Sequence, residues 1–422
     1  MEKHSDPVPN EGIRHVFIIG SKSLGQYGGF ETFTYKLTAQ HKGEAMIKYH
    51  VACKANGSGC MRESALPGVT DIRSDGKITE FTYNNAHVFK IPVPEIGPAA
   101  AIYYDIAAIR YCIRYCTQNN IANPAFYILA CRIGPFLHKY VKSIKSLGGE
   151  LFINPDGHEW KRAKWSLPIK KYWKKSEEMM IRQADMIVCD SVNIEKYINT
   201  EYARYSPKTT YIAYGADIAK SILADDDPVF TSWLEEKGIK AGEYYLIVGR
   251  FVPENNYETM IREFMGSGTE RDLVIITDSN TALFSELQKK LNFEKDKRVK
   301  FAGTVYEPEL LKKIRESAYA YLHGHEVGGT NPSLLEALGS TSLNLLLDVG
   351  FNREVGNDAA LYWNKRTGSL TKLIDKADNM PSEQVKEYGR KAKSRIRDNY
   401  SWELIGEKYK GLWQNSRIPE LK

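Results

Sequence analysis

No stretch of the 422 residues approaches the roughly 18 consecutive apolar side chains that a membrane-spanning helix requires. The polar start MEKHSDPVPNEG has no apolar core of a signal peptide, so a place in the cytoplasm is expected. Cysteine is scarce: Cys53, Cys60, Cys112, Cys116, Cys131 and Cys189 include no CxxC pair, and several fall in apolar runs. Reduced packing thiols are expected, not disulfides or zinc ligands. His323-x-His325 lacks a third ligand at suitable spacing, so no metal is expected there. Internal repeats and low-complexity segments are absent, as is any convincing Ser/His/Asp or Cys/His arrangement for covalent catalysis. Two phosphate fingerprints are also missing. Gly20 and Gly25 are spaced like the start of a Walker A loop, but Gln26 and Tyr27 stand where Lys and Ser/Thr are needed, and G-x-G-x-x-G does not occur in this loop. NTP hydrolysis and NAD binding both lose ground.

The chain does contain short β-branched runs alternating with segments of helical period, the pattern of α/β units on parallel sheets. In the first half strands are expected at 16–20, 50–54, 87–91, 126–130, 150–154 and 186–190, with helices at 29–41 and 101–116. After the acidic stretch DDDP at 225–228 the pattern restarts, with strands at 244–249, 273–277, 299–303, 320–324 and 343–347. Tyr257, Met260, Ile261 and Phe264 form a buried helical stripe. The simplest architecture is two Rossmann-like domains facing each other across a cleft, with a final helix crossing back to the first. The expected divisions are a disordered tail at 1–12, a first domain at 13–218, a second at 219–398, and the crossing helix and tail at 399–422.

Charge is uneven. Residues 1–215 hold 28 Lys/Arg against 20 Asp/Glu, or +8, and 216–422 hold 30 against 32, or −2. The first half is the one built to meet something anionic. Its most unusual stretch is NPDGHEWKRAKWSLPIKKYWKKSEE, where 161–175 carries seven Lys/Arg, no acid, and Trp165, Tyr172 and Trp173. Lysines interleaved with aromatics suit an anionic membrane interface. Nucleic-acid binding and a plain solvated helix are the competing readings. Glu159, Lys161, Arg162, Lys164, Trp165, Lys170, Lys171 and Trp173 are the candidates for an acceptor- or membrane-facing surface. Just before them, Asp156 and Glu159 follow an apolar strand to the cleft edge, where one can serve as general base or sugar-hydroxyl acceptor; Asp156 in N-P-D-G also suits a plain turn.

Two glycine-rich helix starts invite a ligand. Gly28-Gly29 precedes the helix beginning near Phe30, and missing side chains let a ligand approach the backbone, although a tight turn without ligand fits too. In HGHEVGGTNPSLLEALGS, Asn331 suits the cap and Pro332 the first helical position. Gly328, Gly329 and Thr330 are then expected to leave amides exposed to an anion at the positive end of the helix dipole. Glu336, about one turn on, is placed to accept from a vicinal diol such as a ribose. Arg250 follows the strand YYLIVG, at the carboxyl end where α/β ligands bind, and a guanidinium there neutralises a diphosphate without metal; a surface ion pair is its plainer role.

YGGFETF, NPDGHEWKRAKWS, VGRFVPENNYE, FAGTVYEPELL, HGHEVGGTNPSLLEAL and LLLDVGFNREVG occur in this order. Together they resemble the bacterial rhamnosyltransferases of glycosyltransferase family 4 that carry a DUF1972 amino-terminal domain, over residues 14 to 412. The resemblance implies a GT-B fold and a retaining, metal-independent transfer of L-rhamnose from dTDP-L-rhamnose. The implied acceptor is a lipid-diphosphate-linked GlcNAc or glucose at the inner membrane face, in cell-wall or capsular polysaccharide synthesis. It also implies that Arg250 and the amides of Gly328 to Asn331 hold the diphosphate, that Glu336 binds the ribose, that Gly29 approaches from the opposite domain and that Asp156 lies near the acceptor hydroxyl. Where the wider family 4 pattern has a Glu eight residues before Glu336, this chain has Gly328, and the nearest acid is Glu326. The usual phosphate-binding lysine is replaced by Asn255 or Asn256. Arg250, Asp156 and Glu326 are thus the catalytic candidates. Transfer from another nucleotide sugar and a sugar-nucleotide epimerase remain the alternatives; a nucleic-acid partner is not expected.

Overall fold

The computed structural model describes residues 12–26 and 28–415; of the expected 1–12 tail, residues 1–11 lie outside them, as do 416–422 of the expected final tail. Several strands are apolar runs that end in or against Gly, Asn or Asp, as at Gly20, Asn154 and Asp190. In the first unit the strands are β1 (Arg14–Ile19), β2 (Ile47–Lys54), β3 (Thr70–Ser74), β4 (Thr79–Tyr83), β5 (Ala86–Ile91), β6 (Ala125–Leu129), β7 (Glu150–Asn154), β8 (Met186–Cys189) and β9 (Thr209–Tyr211). They make one sheet of order β3-β4-β5-β2-β1-β6-β7-β8-β9. The second unit has β10 (Tyr244–Val248), β11 (Asp272–Ile276), β12 (Val299–Gly303), β13 (Ala320–His323), β14 (Leu343–Leu347) and β15 (Leu361–Trp363), ordered β12-β11-β10-β13-β14-β15. Both are doubly wound. The order reverses at β1 and at β10, so the cleft sites of such sheets fall beside the loops that leave these strands.

Every expected strand is present. The strands that sequence did not anticipate are the three-residue edges β9 and β15, the exposed edge β3, and β4, which buries Phe81 and Tyr83. β3 and β4 form an antiparallel hairpin whose turn is set by Asp75, with its Oδ1 accepting from Lys77 N (2.8 Å) and Ile78 N (2.7 Å). Such polar edge strands carry little alternation to read.

The last helix, Trp402–Asn415, crosses back onto the first sheet. Tyr409 and Trp413 are buried against Tyr127 and Phe152, Trp413 Nε1 donates to Tyr49 OH (2.9 Å), and the Tyr409 and Tyr127 hydroxyls are 2.9 Å apart. Each buried ring contributes roughly 1.5–3 kcal/mol by leaving water. Where the chain passes between units, Trp402 lies on Gly215; a Cβ there would stand 2.5 Å from the indole. One apolar cluster runs from Val16 and Tyr127 through Ile212 and Tyr214 to Leu334, Leu335 and Leu338. The units therefore share a core. All six cysteines are free and, Cys60 apart, buried; burial pushes the Cys112 and Cys131 thiols well up, as packing groups.

Candidate functional site

Arg250 follows β10 and is exposed; among the described residues no carboxylate pairs with it. Its loop is fixed from behind. Asn255 Nδ2 donates to the Arg250 carbonyl (2.7 Å), which orients the amide so that its Oδ1 accepts from His325 Nδ1–H (2.6 Å). His325 is thus held as a neutral donor. Burial first, then the Arg162 and Arg250 guanidiniums, lower its pKa to about 4. His323 ends β13 in the core, with burial and then His325 lowering its pKa to about 3. Among the described residues no group of three or more His, Cys, Asp or Glu side chains could hold a metal ion.

The loop after β7 brings the first unit to the same place. Asp156 has a left-handed backbone (φ 57°) and its N–H donates to Asn154 Oδ1 (2.8 Å), so the N-P-D-G turn exists. Its carboxylate still faces the cleft, 3.8 Å from an Arg162 nitrogen. Two residues of the basic segment are placed otherwise than a membrane surface requires. Arg162 is only 12% exposed; it pairs with Glu159 and feels Asp156 and Glu254 of the second unit. Glu159 is consumed within the segment, accepting from Arg162, from Trp165 Nε1 (2.9 Å) and from Lys164 (3.0 Å). Glu159 draws in two of the three bases that follow it, Arg162 and Lys164, and the pairing with Arg162 turns that side chain inward. Lys161, Lys164 and Lys171 remain exposed, while Lys170, Trp165 and Trp173 are half-buried, the two indoles 6.1 Å apart. Leu167, at the start of the helix Leu167–Ile181, is 74% exposed. His158 packs on Tyr197, and burial, then Lys161 and Lys174, lower its pKa to about 4.

The second glycine loop differs from expectation in one respect. Asn331 caps the helix Pro332–Ser340, its Oδ1 accepting from Ser333 N (2.9 Å) and Leu334 N (3.3 Å). Gly328, Gly329 and Thr330, however, are buried, not open to a ligand. They pack on the first unit: a Cβ on Gly157 would lie 2.2 Å from Gly328 Cα, and one on Gly329 would lie 2.0 Å from Asp190 Oδ1. Absent side chains let two backbones touch, which is the use glycine has here. At the first loop nothing lies within 4 Å of a Cβ on Gly29, whereas the space over Gly28 is filled by the Glu31 carboxylate. Glu336 pairs with Arg315 (2.6 Å) and is 40% exposed; Glu326 pairs with Lys365.

Three participants were not singled out from sequence: His325 as a fixed donor, Asp190 after β8, and Glu354, whose carboxylate crosses to the first unit. An acid directly after an apolar strand (MIVCD) was the available signal for Asp190.

Residues 13–217 match the model of DUF1972, a domain of unknown function. No curated protein matches the sequence. Among solved structures, sucrose-phosphate synthase from Thermosynechococcus elongatus is similar at TM-score 0.70 and 12% identity, over 96% of this chain and 99% of that one. An E. coli trehalose-6-phosphate structure bound with UDP-2-fluoro glucose gives 0.70 and 10%, over 96% and 99%. The Anabaena protein HepE in complex with UDP gives 0.65 and 11%, over 96% and 100%. The fold is GT-B.

Proposed function

We propose that the protein is a glycosyltransferase that takes a sugar from a nucleotide sugar, with the nucleotide on the second unit and the acceptor against the first. The observation that carries this reading is the exposed, unpaired Arg250 guanidinium after β10, in a cleft of GT-B form beside a second guanidinium, Arg162. A diphosphate is the ligand that a free guanidinium such as that of Arg250 is suited to neutralise. The reading assigns a front-face substitution. The C–O bond to the leaving diphosphate breaks as the acceptor oxygen bonds to the same face, and a diphosphate oxygen takes the acceptor proton. Arg250 then stabilises the departing charge, and retention of configuration follows. Glu336 would hold the ribose and Asp156 the acceptor hydroxyl.

In its finer form the reading assigns dTDP-L-rhamnose as donor and a lipid-diphosphate-linked GlcNAc or glucose as acceptor, during cell-wall or capsular polysaccharide assembly. Residue motifs support this form. No helix among the described residues is long and apolar enough to cross a membrane. Contact with a lipid acceptor would be peripheral, through exposed Leu167 and the lysines around it, each adding about 1 kcal/mol near anionic headgroups. Incubating the enzyme with a panel of nucleotide sugars and a lipid-diphosphate sugar, with product read by mass, tests the assignment. A product from dTDP-rhamnose is expected. Product from another donor alone sinks the donor assignment, and no transfer from any sinks the activity. Flotation with anionic vesicles is expected to exceed an oligonucleotide shift at matched salt; the reverse preference removes the membrane contact.

A further inference from the structure

The loop that leads into the helix Pro332–Ser340 already holds an acidic side chain from the other unit. Asp190, directly after β8, is 3% exposed and its carboxylate abuts Gly329. The Thr330 main-chain N–H donates to that carboxylate, while its Oδ1 has no partner. Thr330 Oγ1 donates to the Asp190 carbonyl, fixing the pair together. The second unit returns the contact. Glu354 accepts from Ser191 Oγ (2.7 Å), Val192 N (2.9 Å), Asn193 N (3.2 Å) and Asn193 Nδ2 (2.7 Å), so it caps the helix Val192–Glu201. Two carboxylates thus cross the joint in opposite directions, each onto a helix start of the other unit.

The two are not equally content. Glu354 has four donors, whereas Asp190 is buried with one oxygen unsatisfied and with Asp156 and Glu354 as like charges facing it. Burial, then those two acids, raise its pKa well above the usual value of 3.8, against the pull of the Thr330 amide; Tyr214, Tyr127 and Tyr409 face it from behind. A buried acid held by a single amide, with its other oxygen unsatisfied, behaves as a displaceable occupant.

We infer that Asp190 is a built-in stopper of the diphosphate site: its carboxyl group occupies the Thr330 amide and lies against Gly329 before Pro332, and a nucleoside diphosphate binds there by displacing it and loosening the joint. The inference rests on the nucleotide-sugar reading and adds its regulation. Apparent affinity is lowered by the fraction of molecules with the stopper seated, and anything that unseats it restores affinity.

Two variants separate displacement from simple removal of charge. Asp190→Asn keeps the stopper's shape and removes its acid. Gly157→Ala keeps every charge but drives a Cβ to 2.2 Å from Gly328 Cα, wedging the joint open. Both, and the wild-type full chain, are titrated calorimetrically with UDP, dTDP and inorganic pyrophosphate, and their small-angle scattering is recorded with and without ligand. Both variants should bind at least about fivefold more tightly, the low end of coupling between sites, pyrophosphate should show the same ratio, and saturating nucleotide should expand the wild type. Should Gly157→Ala fail to fold, Asn193→Ala loosens the Glu354 contact from an exposed position and should tighten binding in the same sense. Tighter binding by Asp190→Asn alone, or wild-type scattering unchanged at saturation, overturns the stopper while leaving the nucleotide site intact. If neither nucleotide binds any of the proteins, the nucleotide reading and the stopper fall together.

Discussion

Gly28-Gly29 and Gly328-Gly329 carry the same local signal, paired glycines before an apolar helix, and the fold puts them in opposite surroundings. Around Gly29 there is open space; Gly329 lies against a carboxylate of the other unit. Both helix starts nevertheless draw an acid. At the first it is local, with Glu31 Oε1 accepting from Lys22 N (2.9 Å) while its other oxygen covers Gly28. At the second it is Asp190, 139 residues before Gly329 in sequence. Glycine pairs therefore report that something approaches the backbone closely; whether it is solvent, ligand or protein is decided by residues far along the chain.

The largest expected effect falls on a residue that belongs to neither loop. Arg250→Ala should lower kcat/KM for transfer by about 10²- to 10³-fold, the usual consequence of removing one donor to developing charge. The melting temperature should hardly move, because the side chain is exposed and unpaired. Steady-state kinetics with the best donor provide the measurement. A change under about threefold would mean that neither glycine loop receives a diphosphate beside Arg250.

Acid should act on the second loop and spare the first. His325 borders Gly328, its Nε2 3.4 Å from where a Cβ would be, and its folded pKa of about 4 lies below the usual 6.5. The unfolded chain therefore takes the proton first, so the stability this group contributes is complete above pH 6.5 and is lost as pH falls through 4. His158 runs in parallel. Melting temperatures between pH 7 and 4 should fall in wild type and fall less steeply in His325→Asn. Equal slopes would remove the histidine from the account.

Much of this arrangement was legible in sequence. Strand positions followed from apolar runs, the cap at Asn331 from its place before Pro332, and the crossing helix from Tyr409 and Trp413. Less legible was whatever depends on a pairing across distance. Nothing local says that Arg162 turns inward onto Glu159 while Lys161 and Lys164 stay out, since all three are bases in one run. Nor does the GGTNP motif tell whether its amides meet water or Asp190. Burial of backbone is a tertiary property, and glycine, with no side chain of its own to pack, leaves no periodicity to read.

A smaller effect is expected where the ligand meets only a side chain. Glu336→Gln keeps the shape and discharges one acceptor that Arg315 also holds, so UDP or dTDP affinity should fall by about tenfold, the scale of a charged hydrogen bond. Asp156→Asn should lower turnover with nucleotide affinity largely kept. Equal loss of affinity in both would contradict the division of labour between the units.

The smallest effects compare the glycines directly. Gly329→Ala must displace the Asp190 carboxylate and should cost about 1–3 kcal/mol as an overpacked contact. Gly29→Ala meets nothing and opens the helix Gly29–Gln40 with a better helix former, so it should be neutral or stabilising by about 0.5–1 kcal/mol. Its cost should appear only with ligand, as weaker binding of the nucleotide sugar whose diphosphate comes near this backbone. Chemical denaturation of both variants, with and without donor, reads the four values. If Gly29→Ala is silent in both conditions, the open space beside it is a turn that no ligand enters, and the second loop alone forms the donor site.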